Sequence, residues 1–253
     1  SVKKIFHCRQ ASKSIHLTPY RGRRILDVFV KDLSFAVNRG ETFALVGASG
    51  SGKTTIASLL ARFWDISKGE ITINGMDIRR LPMDTLMAQI SMVFQKVYLF
   101  EDTIYNNIAM GRKDAEAEEI YEAAKKACCY DFIMNLPYGF DTYVGAGGAT
   151  LSGGEAQRIS IARCLLKDAP IVILDEATAS IDADNESQIQ AALSNLCQNK
   201  TTIVIAHRLN TIRNADRILL LDKGYVKESG THEELLLEGG LYSKMVGAGG
   251  DAA

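Results

Sequence analysis

The sequence has no uninterrupted apolar run that approaches the ~18 residues needed for a membrane-spanning helix, and it has no signal peptide. We therefore expect that this chain does not cross a bilayer by itself. Its formal net charge is only -1, which gives no indication of a nucleic-acid partner or an acidic partner. Internal repeats and low-complexity tracts are also missing, and the hydrophobic content of 47% is ordinary for a soluble globular protein.

Disulfide and metal-cluster signals are weak as well. Five cysteines are present, but no two of them form a CxxC pair, which favours a reducing compartment. The length of 253 residues allows one large α/β domain or two small ones. Because the chain opens at Ser1 and ends in a small, featureless tail at 247–253, we expect it to be a piece of a longer protein.

What is present is a glycine-rich loop, Gly47 to Thr54, between an apolar run at 43–46 and a helical segment at 55–60. This order of strand, loop and helix predicts a phosphate-binding loop, since the glycines let successive amide N–H groups face one anion and the helix N-terminus favours negative charge. The alternative is a flexible loop before an unrelated helix, which the flanking strand and helix disfavour. The candidate contacts of a bound polyphosphate are Gly47, Ser49, Gly50, Ser51, Gly52, Lys53, Thr54 and Thr55. Lys53 is expected to reach the terminal phosphates, and the Thr54 hydroxyl is expected to bind Mg²⁺.

Two acids follow a second apolar run, Ile171 to Leu174, which is typical of a strand buried on both faces. Ligands of open α/β sheets bind at the carboxyl ends of such strands. We expect Asp175 to hold the magnesium, directly or through water, and Glu176 to polarise the water that attacks the terminal phosphate. The alternative is a pair of solvated acids. His207 follows another apolar run, and the residues alone leave open whether it contacts the phosphate or is an ordinary hydrogen-bonded histidine.

The remaining pattern predicts a largely parallel sheet, because buried strands alternate with helices. Short extended runs recur before residue 46, and the turn at Asn38 to Gly40 suggests that the runs 33–37 and 42–46 pair antiparallel. Residues 114–135 carry apolar positions at helical spacing, with acids early and lysines late, which predicts one helix. The first dozen residues show little periodicity and are interpreted as a linker.

The run Leu151-Ser152-Gly153-Gly154-Glu155 resembles the LSGGQ signature of the nucleotide-binding domain of ATP-binding-cassette (ABC) transporters, with Glu in the last place. The resemblance covers nearly the whole chain, from about Ser14 to Val246. In that family two domains close head to tail, so each nucleotide lies between the phosphate loop of one and the signature of the other. A serine and exposed glycine amides at a helix N-terminus fit a second anion site, and the alternative is a simple helix-opening turn.

The resemblance extends to single positions. Gln95 looks like the family's Q-loop glutamine, which binds near the magnesium and links to the transport subunit, and His207 looks like the switch histidine. Ser180-Ile181-Asp182 resembles the D-loop, with Ile181 where alanine or leucine is usual and Asp182 retained. Tyr20 is the candidate for the aromatic residue that stacks on adenine, worth ~1–3 kcal/mol, and the alternative is a partly buried core tyrosine.

Two stretches, 94–100 and 103–108, look like the exporter form of the Q-loop region. The glycine-rich loop 144–148 departs from the exporter pattern, because Ala146 stands where those proteins usually have an acid. This departure argues against a salt bridge from that loop to the membrane domain and leaves the hydrolytic residues untouched.

The resemblance implies an α/β fold: a phosphate-loop NTPase (RecA-like) core with a mainly parallel sheet, an antiparallel β subdomain and a helical subdomain. The expected divisions are a linker at 1–13, the β subdomain and first part of the core at 14–95, the helical subdomain at 96–168, the second part of the core at 169–246 and a tail at 247–253.

The implied function is that of an ATPase motor of a membrane transporter, which uses ATP and Mg²⁺ at the cytoplasmic face of the membrane. Its implied partners are a transmembrane domain of the same or another chain and a second nucleotide-binding domain. The alternatives are a non-transport cassette ATPase, acting on chromosomes or ribosomes, and a nucleotide-sensing module without turnover. Only 96 residues, without heptads, separate Lys53 from Thr150, the chain has one cassette, and Glu176 and His207 are both present, so these alternatives are disfavoured.

Overall fold

The computed structural model describes residues 4–14, 29–145, 148, 150–175, 183–206 and 212–247. The chain divides into two compact units. The sheet unit consists of Ser1–Met87 and Thr201–Ala253, and the helical unit consists of Ala88–Lys200. No helix in the described ranges is both long enough and apolar enough to span a membrane.

The strands are β1 (Lys4–Ser14), β2 (Phe29–Asn38), β3 (Thr42–Val46), β4 (Lys68–Ile73), β5 (Met76–Asp77), β6 (Ile90–Val93), β7 (Asp102–Thr103), β8 (Tyr143–Val144), β9 (Ile171–Asp175), β10 (Thr201–Ile205), β11 (Arg217–Asp222) and β12 (Tyr225–Gly230). The helices are α1 (Lys53–Leu60), α2 (Met83–Ala88), α3 (Ile104–Ala109), α4 (Ala117–Lys126), α5 (Tyr130–Met134), α6 (Gly153–Lys167), α7 (Ala183–Cys197), α8 (His232–Leu237) and α9 (Leu241–Gly247). Short 3-10 turns lie at Ile78–Arg80 and Gly139–Asp141.

The sheet unit contains an antiparallel sheet in the order β2, β1, β4, β5. Phe6 of β1 lies opposite Val37 on one side and Ile73 on the other, and all three side chains are buried. The prediction of a linker at 1–13 is therefore wrong for residues 4–13. The alternation of apolar and polar residues in this segment is short, and bulges interrupt the register of β1. The segment is a strand because two distant segments, β2 and β4, pair with it.

The second layer of the sheet unit has β3 at its centre, with the order β12, β11, β3, β10. Ala44 of β3 pairs in parallel register with Val204 on one side and Ile218 on the other. Because both faces of β3 are covered, its residues from Phe43 onwards are all buried, which explains the continuous apolar run. The expected antiparallel pairing of the runs 33–37 and 42–46 is wrong, since the first belongs to the antiparallel sheet and the second to this one. A turn signal fixes only the local chain reversal.

The C-terminal helices close the core of the sheet unit. Tyr242 of α9 is fully buried, and its hydroxyl lies 2.7 Å from Nδ1 of His232. The Glu228 carboxylate accepts hydrogen bonds from the backbone N–H groups of Leu241 and Tyr242, which holds the start of α9. Thr231 and Glu234 form a capping box at the start of α8.

The helical unit is built around α6, which packs against α3, α4 and α7. Strands β6 and β9 pair in parallel, with Val93 opposite Leu174 at their carboxyl ends. The prediction of one helix over 114–135 is wrong, because α4 ends before Cys128, whose φ of 55° is left-handed, and α5 begins two residues later. Apolar periodicity does not reveal a single left-handed residue that changes the direction of the chain.

Candidate functional site

The phosphate loop joins the end of β3 to the start of α1 in the sheet unit. Gly47 has a φ of 150°, and a Cβ there would overlap the backbone carbonyl oxygen of Leu221 in β11. Gly52, the residue before α1, is left-handed with a φ of 106°. Both positions therefore require glycine, and the backbone geometry of the loop agrees with the prediction from its sequence.

Lys53 lies inside the loop. Its side chain is on a residue only 4% exposed, and its ammonium donates hydrogen bonds to the carbonyl oxygens of Gly47 at 2.6 Å and Ala48 at 3.0 Å. An ammonium removed from water needs such partners. Anionic oxygens bind an ammonium more strongly than neutral carbonyls do, so a phosphate entering the loop would find a charge already in place.

The loop is supported by the β11–β12 hairpin. The Ser51 carbonyl accepts a hydrogen bond from the Gly224 amide at 3.0 Å, and the Gly224 carbonyl accepts one from the Lys31 amide at 3.0 Å. The Ser51 hydroxyl is buried and makes no hydrogen bond with any described residue. Since an unsatisfied buried hydroxyl costs about 1–3 kcal/mol, its free capacity fits an anionic ligand in the loop.

The candidate magnesium ligands are all oxygen donors, as Mg²⁺ prefers. Thr54 is exposed in the first turn of α1 in the sheet unit. In the helical unit, Asp175 ends β9, while Gln95 follows its parallel neighbour β6 by two residues. The structure therefore brings Gln95 and Asp175 to the same edge of this strand pair, and the donor set fits the ion.

The signature run forms the start of α6. Ser152 is the N-cap, and its hydroxyl accepts a hydrogen bond from the Glu155 amide at 3.2 Å. The Glu155 carboxylate in turn accepts a hydrogen bond from the Ser152 amide at 2.7 Å, which completes a capping box. The Ser152 amide is thus occupied by Glu155, so a second anion site here would rest on the amides of the following glycines and on the serine hydroxyl.

The two glycines of the signature have different surroundings. A Cβ on Gly153 would meet nothing within 4 Å, whereas a Cβ on Gly154 would lie 2.7 Å from both Cβ and Cγ of Asn185 in α7. Gly154 is glycine because α7 packs closely against it. Gly153 is exposed, and packing gives no reason for a glycine there. An approaching ligand would give one.

Sequence reasoning missed the polar side chains that α6 places inside the helical unit. Arg158 is 3% exposed, hydrogen-bonds to the Asn185 side chain and lies over the Phe132 ring at 5.1 Å. Arg163 contacts Asn107, and burial lowers the pKa of this guanidinium. The two arginines, which alternate with apolar residues in the second half of the helical run, were the available signal, since arginine is rarely buried without a specific partner.

A cavity of about 530 Å³ in the helical unit lies away from these candidates, beside α4 and the C-terminal ends of α6 and α7. Its lining contains two ion pairs: Arg112 binds Glu119, and the Lys200 ammonium lies 2.9 Å from the Asp168 carboxylate. We assign it no ligand.

Four of the predicted site residues lie outside the described residues: Tyr20, Glu176, Asp182 and His207. Ala146, where the sequence departs from the exporter pattern, lies outside them as well. Their expected roles therefore stay predictions.

Comparison with known proteins gives one family match and many relatives. The family model described as ABC transporter matches residues 30–179. The ATP-dependent lipid A-core flippase of Legionella pneumophila (strain Paris) is 51% identical over 226 residues, which cover 89% of this chain and 38% of that protein. The protein of the same name from Desulfotalea psychrophila is 56% identical over 208 residues, which cover 82% of this chain and 36% of that protein.

A solved structure, described as a bacterial Atm1-family ABC exporter with ATP bound, matches with a TM-score of 0.85 and 42% sequence identity. The match covers 100% of this chain and 43% of that one. The chain spans about two fifths of the length of the curated relatives it matches. These matches confirm the predicted fold class, a phosphate-loop core with an antiparallel sheet and a helical part.

Proposed function

Since this chain belongs to the ABC transporter family as a nucleotide-binding domain of the exporter type, we propose that it is the ATP-hydrolysing motor of a membrane transporter. The observation that carries the proposal is the phosphate loop, with the nearly buried Lys53 ammonium held against its own loop carbonyls. The transported substrate would be recognised by the rest of the full-length protein, which in the relatives is more than half of the chain.

We propose that the loop amides, the Ser51 hydroxyl and the Lys53 ammonium hold the phosphates of ATP. Thr54, Gln95 and Asp175 would hold Mg²⁺, which when bound neutralises charge on the phosphate oxygens. Glu176 would accept the proton of the attacking water, and His207 would orient that water against the terminal phosphate. Tyr20 would stack on the base.

We further propose that two such domains pair head to tail. The open face of Gly153 and the hydroxyl of Ser152 would then contact the nucleotide held by the other copy, and Asp182 would lie at the same interface. A pair whose site needs both copies can bind ATP more tightly than ADP in its closed form, and this difference in affinity is what would drive closure. We also propose that the helical subdomain spans residues 96–168, as the resemblance to the family implies.

The enzymatic step is tested by phosphate release from the purified chain at high concentration with Mg-ATP. Loss of a hydrogen bond from a charged donor is worth about 1.5–3 kcal/mol, so Lys53→Ala should lower kcat/KM by about 10- to 150-fold. The matched control is Lys68→Ala, an exposed lysine of β4, which should leave turnover unchanged. Equal turnover of the parent chain and the Lys53 variant would refute the assignment.

Pairing is tested separately by size-exclusion chromatography of Glu176→Gln. This variant should bind ATP without hydrolysing it and should elute as a dimer with Mg-ATP and as a monomer without it. Adding Ser152→Ala should restore the monomer. A monomer at saturating ATP in both variants would argue against the head-to-tail pair while leaving the ATPase proposal standing.

The membrane partner and the location are tested in the full-length protein. We propose that this chain lies at the cytoplasmic face of a membrane, bound to a transmembrane domain, and that transport is outward as in the exporter it resembles. Full-length protein in vesicles with its nucleotide domain outside should consume added ATP. Activity that is the same with and without the membrane part would favour a non-transport cassette ATPase instead.

A further inference from the structure

The β11–β12 hairpin contacts the phosphate loop at the loop's first glycine. Val46, the last residue of β3, pairs in parallel register with Leu220 of β11, so these two strands end side by side. Gly47 then packs so closely on β11 that a Cβ there would lie 2.2 Å from the Leu221 carbonyl oxygen. The start of the phosphate loop is therefore held against the strand that leads into the hairpin turn.

The turn of the hairpin makes a second contact, with the middle of the loop. Its central residues, Lys223 and Gly224, have φ values of 49° and 81°, and both are positive, as in a type I′ turn. Gly224 is buried, and its amide donates a hydrogen bond to the Ser51 carbonyl oxygen at 3.0 Å. Its own carbonyl oxygen accepts a hydrogen bond from the Lys31 amide of β2 at 3.0 Å. One turn residue thus joins the phosphate loop to the antiparallel sheet.

The two contacts lie on either side of the exposed part of the loop. Residues 48–50 are exposed, whereas Gly47 and Ser51, which flank them, are buried. Within this part the Ser51 amide donates a hydrogen bond to the Ala48 carbonyl oxygen at 3.1 Å. An anion is bound by several loop amides at once, so all of them must point at the same place. Because the hairpin holds both ends of the exposed part, it sets the directions of those amides.

A second turn of the sheet unit has the same backbone shape in different surroundings. Asn74 and Gly75 join β4 to β5, with φ values of 50° and 80°. Asn-Gly is a favoured pair for this turn, since both residues enter the left-handed region at low cost. Gly75 is exposed, and a Cβ there would meet nothing within 4 Å. The turn at Lys223 and Gly224 has a less favoured first residue and a buried glycine, so local preference explains it less well than its contacts do.

We propose that Gly224 is a positioning residue for the nucleotide, because its amide holds the Ser51 carbonyl and thereby keeps the phosphate loop in the shape that binds phosphate. The effect is reciprocal, since a phosphate that fixes the loop also fixes the acceptor of the Gly224 amide. Nucleotide binding should therefore order the β11–β12 turn. The inference rests on the proposed function, because it takes the loop to be the site of the ATP phosphates.

The test uses the full-length protein and titration calorimetry with Mg-ADP, which binds without being hydrolysed. Gly224→Ala places a Cβ at a buried, left-handed position and should displace the amide. The Kd for Mg-ADP should rise by about 10-fold, as expected when a buried carbonyl loses its donor. The kcat at saturating ATP should stay within about 3-fold, since the loop holds the phosphates in the ground state and the transition state alike.

Gly75→Ala is the matched control. It introduces the same left-handed alanine in a turn of the same shape, at a glycine of the antiparallel sheet. Its Kd for Mg-ADP should stay within about 2-fold of the parent value, because the phosphate loop keeps its hairpin contacts. A purely structural role of Gly224 would lower the Tm of Gly224→Ala and leave its Kd at the control value.

A backbone substitution keeps the test decisive if Gly224→Ala folds poorly. Glycolic acid incorporated at position 224 replaces the amide by an ester, which removes the donor to Ser51 and adds no side chain. The Kd for Mg-ADP should again rise by about 10-fold. In the parent protein, the peptide over 222–226 should exchange its amide hydrogens about 10-fold more slowly with saturating Mg-ADP, as measured by mass spectrometry.

The inference is overturned if the ester variant binds Mg-ADP as tightly as the parent protein, or if Gly224→Ala and Gly75→Ala have the same Kd. Turn exchange that does not respond to Mg-ADP would overturn it as well. Absence of nucleotide binding by the parent protein, or equal binding by Lys53→Ala, would instead overturn the proposed function, so the two failures are distinguishable.

Discussion

Replacing Gly154 by alanine adds one methyl group at the place where α6 meets α7. That methyl would lie 2.7 Å from both Cβ and Cγ of Asn185. Overpacking of this kind costs about 1–3 kcal/mol. The adjacent Gly153→Ala is the matched control, because its methyl meets nothing within 4 Å and both changes gain a similar helix propensity.

The difference between the two variants in free energy of unfolding therefore isolates the contact with Asn185. We expect Gly154→Ala to be less stable than Gly153→Ala by about 1–3 kcal/mol, or about 2–4 °C in Tm for each kcal/mol. Urea and thermal unfolding, followed by circular dichroism, measure it. In an Asn185→Gly background, which lacks the clashing atoms, the gap between the two alanine variants should shrink.

In ATP-dependent pairing, the two variants should rank in the opposite order to their stability. Gly153→Ala is expected to fold well but to lose the ATP-dependent dimer in the Glu176→Gln background, because its methyl occupies the face that the nucleotide would approach. Gly154→Ala keeps that face and should still pair below its unfolding temperature. Equal stability of the two variants, or pairing that survives in Gly153→Ala, would refute this assignment of the two glycines.

Three further expectations follow from single groups. Ser51→Ala removes a buried hydroxyl that has no partner among the described residues, so the chain without nucleotide should be as stable or up to about 1 kcal/mol more stable while ATP binds more weakly, which calorimetry and nucleotide titration check. Glu155→Gln keeps the hydrogen bond to the Ser152 amide but removes a negative charge from the first turn of α6. The free energy of unfolding should therefore fall by about 0.3–1 kcal/mol. The KM for ATP should also fall, most clearly at low salt. Burial raises the pKa of the Cys8 and Cys129 thiols to about 12, so at pH 8 only about 10⁻⁴ of each is thiolate. Iodoacetamide should therefore modify them in the native protein much later than the half-buried Cys128. Mass spectrometry of timed samples measures the order, and modification of Cys129 before Cys128 would contradict this expectation.

Local signals predicted the parts of the fold whose cause is local. The phosphate loop is specified by a few adjacent residues, and the structure has the strand, the left-handed glycine and the helix that its sequence predicts. The prediction of one uninterrupted helix over 114–135 was wrong because nothing in the amino-acid pattern marks Cys128 as left-handed. The prediction of a linker at the start of the chain was wrong for a similar reason. β1 is a strand because residues 29–38 and 68–73 pair with it, and its own sequence only partly indicates a strand.

The candidate site shows the same division. Its chemistry could be listed from residue types, because a lysine after a glycine loop and acids after a buried strand have few other uses. Their surroundings could not be listed. The buried Ser51 hydroxyl, the Glu155 carboxylate on the Ser152 amide and the Arg163–Asn107 contact all depend on which segments fold against each other.

By itself, then, the sequence determined the family, the order of strand, loop and helix around Lys53, and the identity of the groups available for phosphate. Only the tertiary structure decided that Gly153 is open while Gly154 is closed by Asn185, and that the loop after Gln95 is fastened to α6. The physical reason is range: backbone conformation and capping act over a few residues, whereas steric contact and burial arise between segments that are distant in sequence.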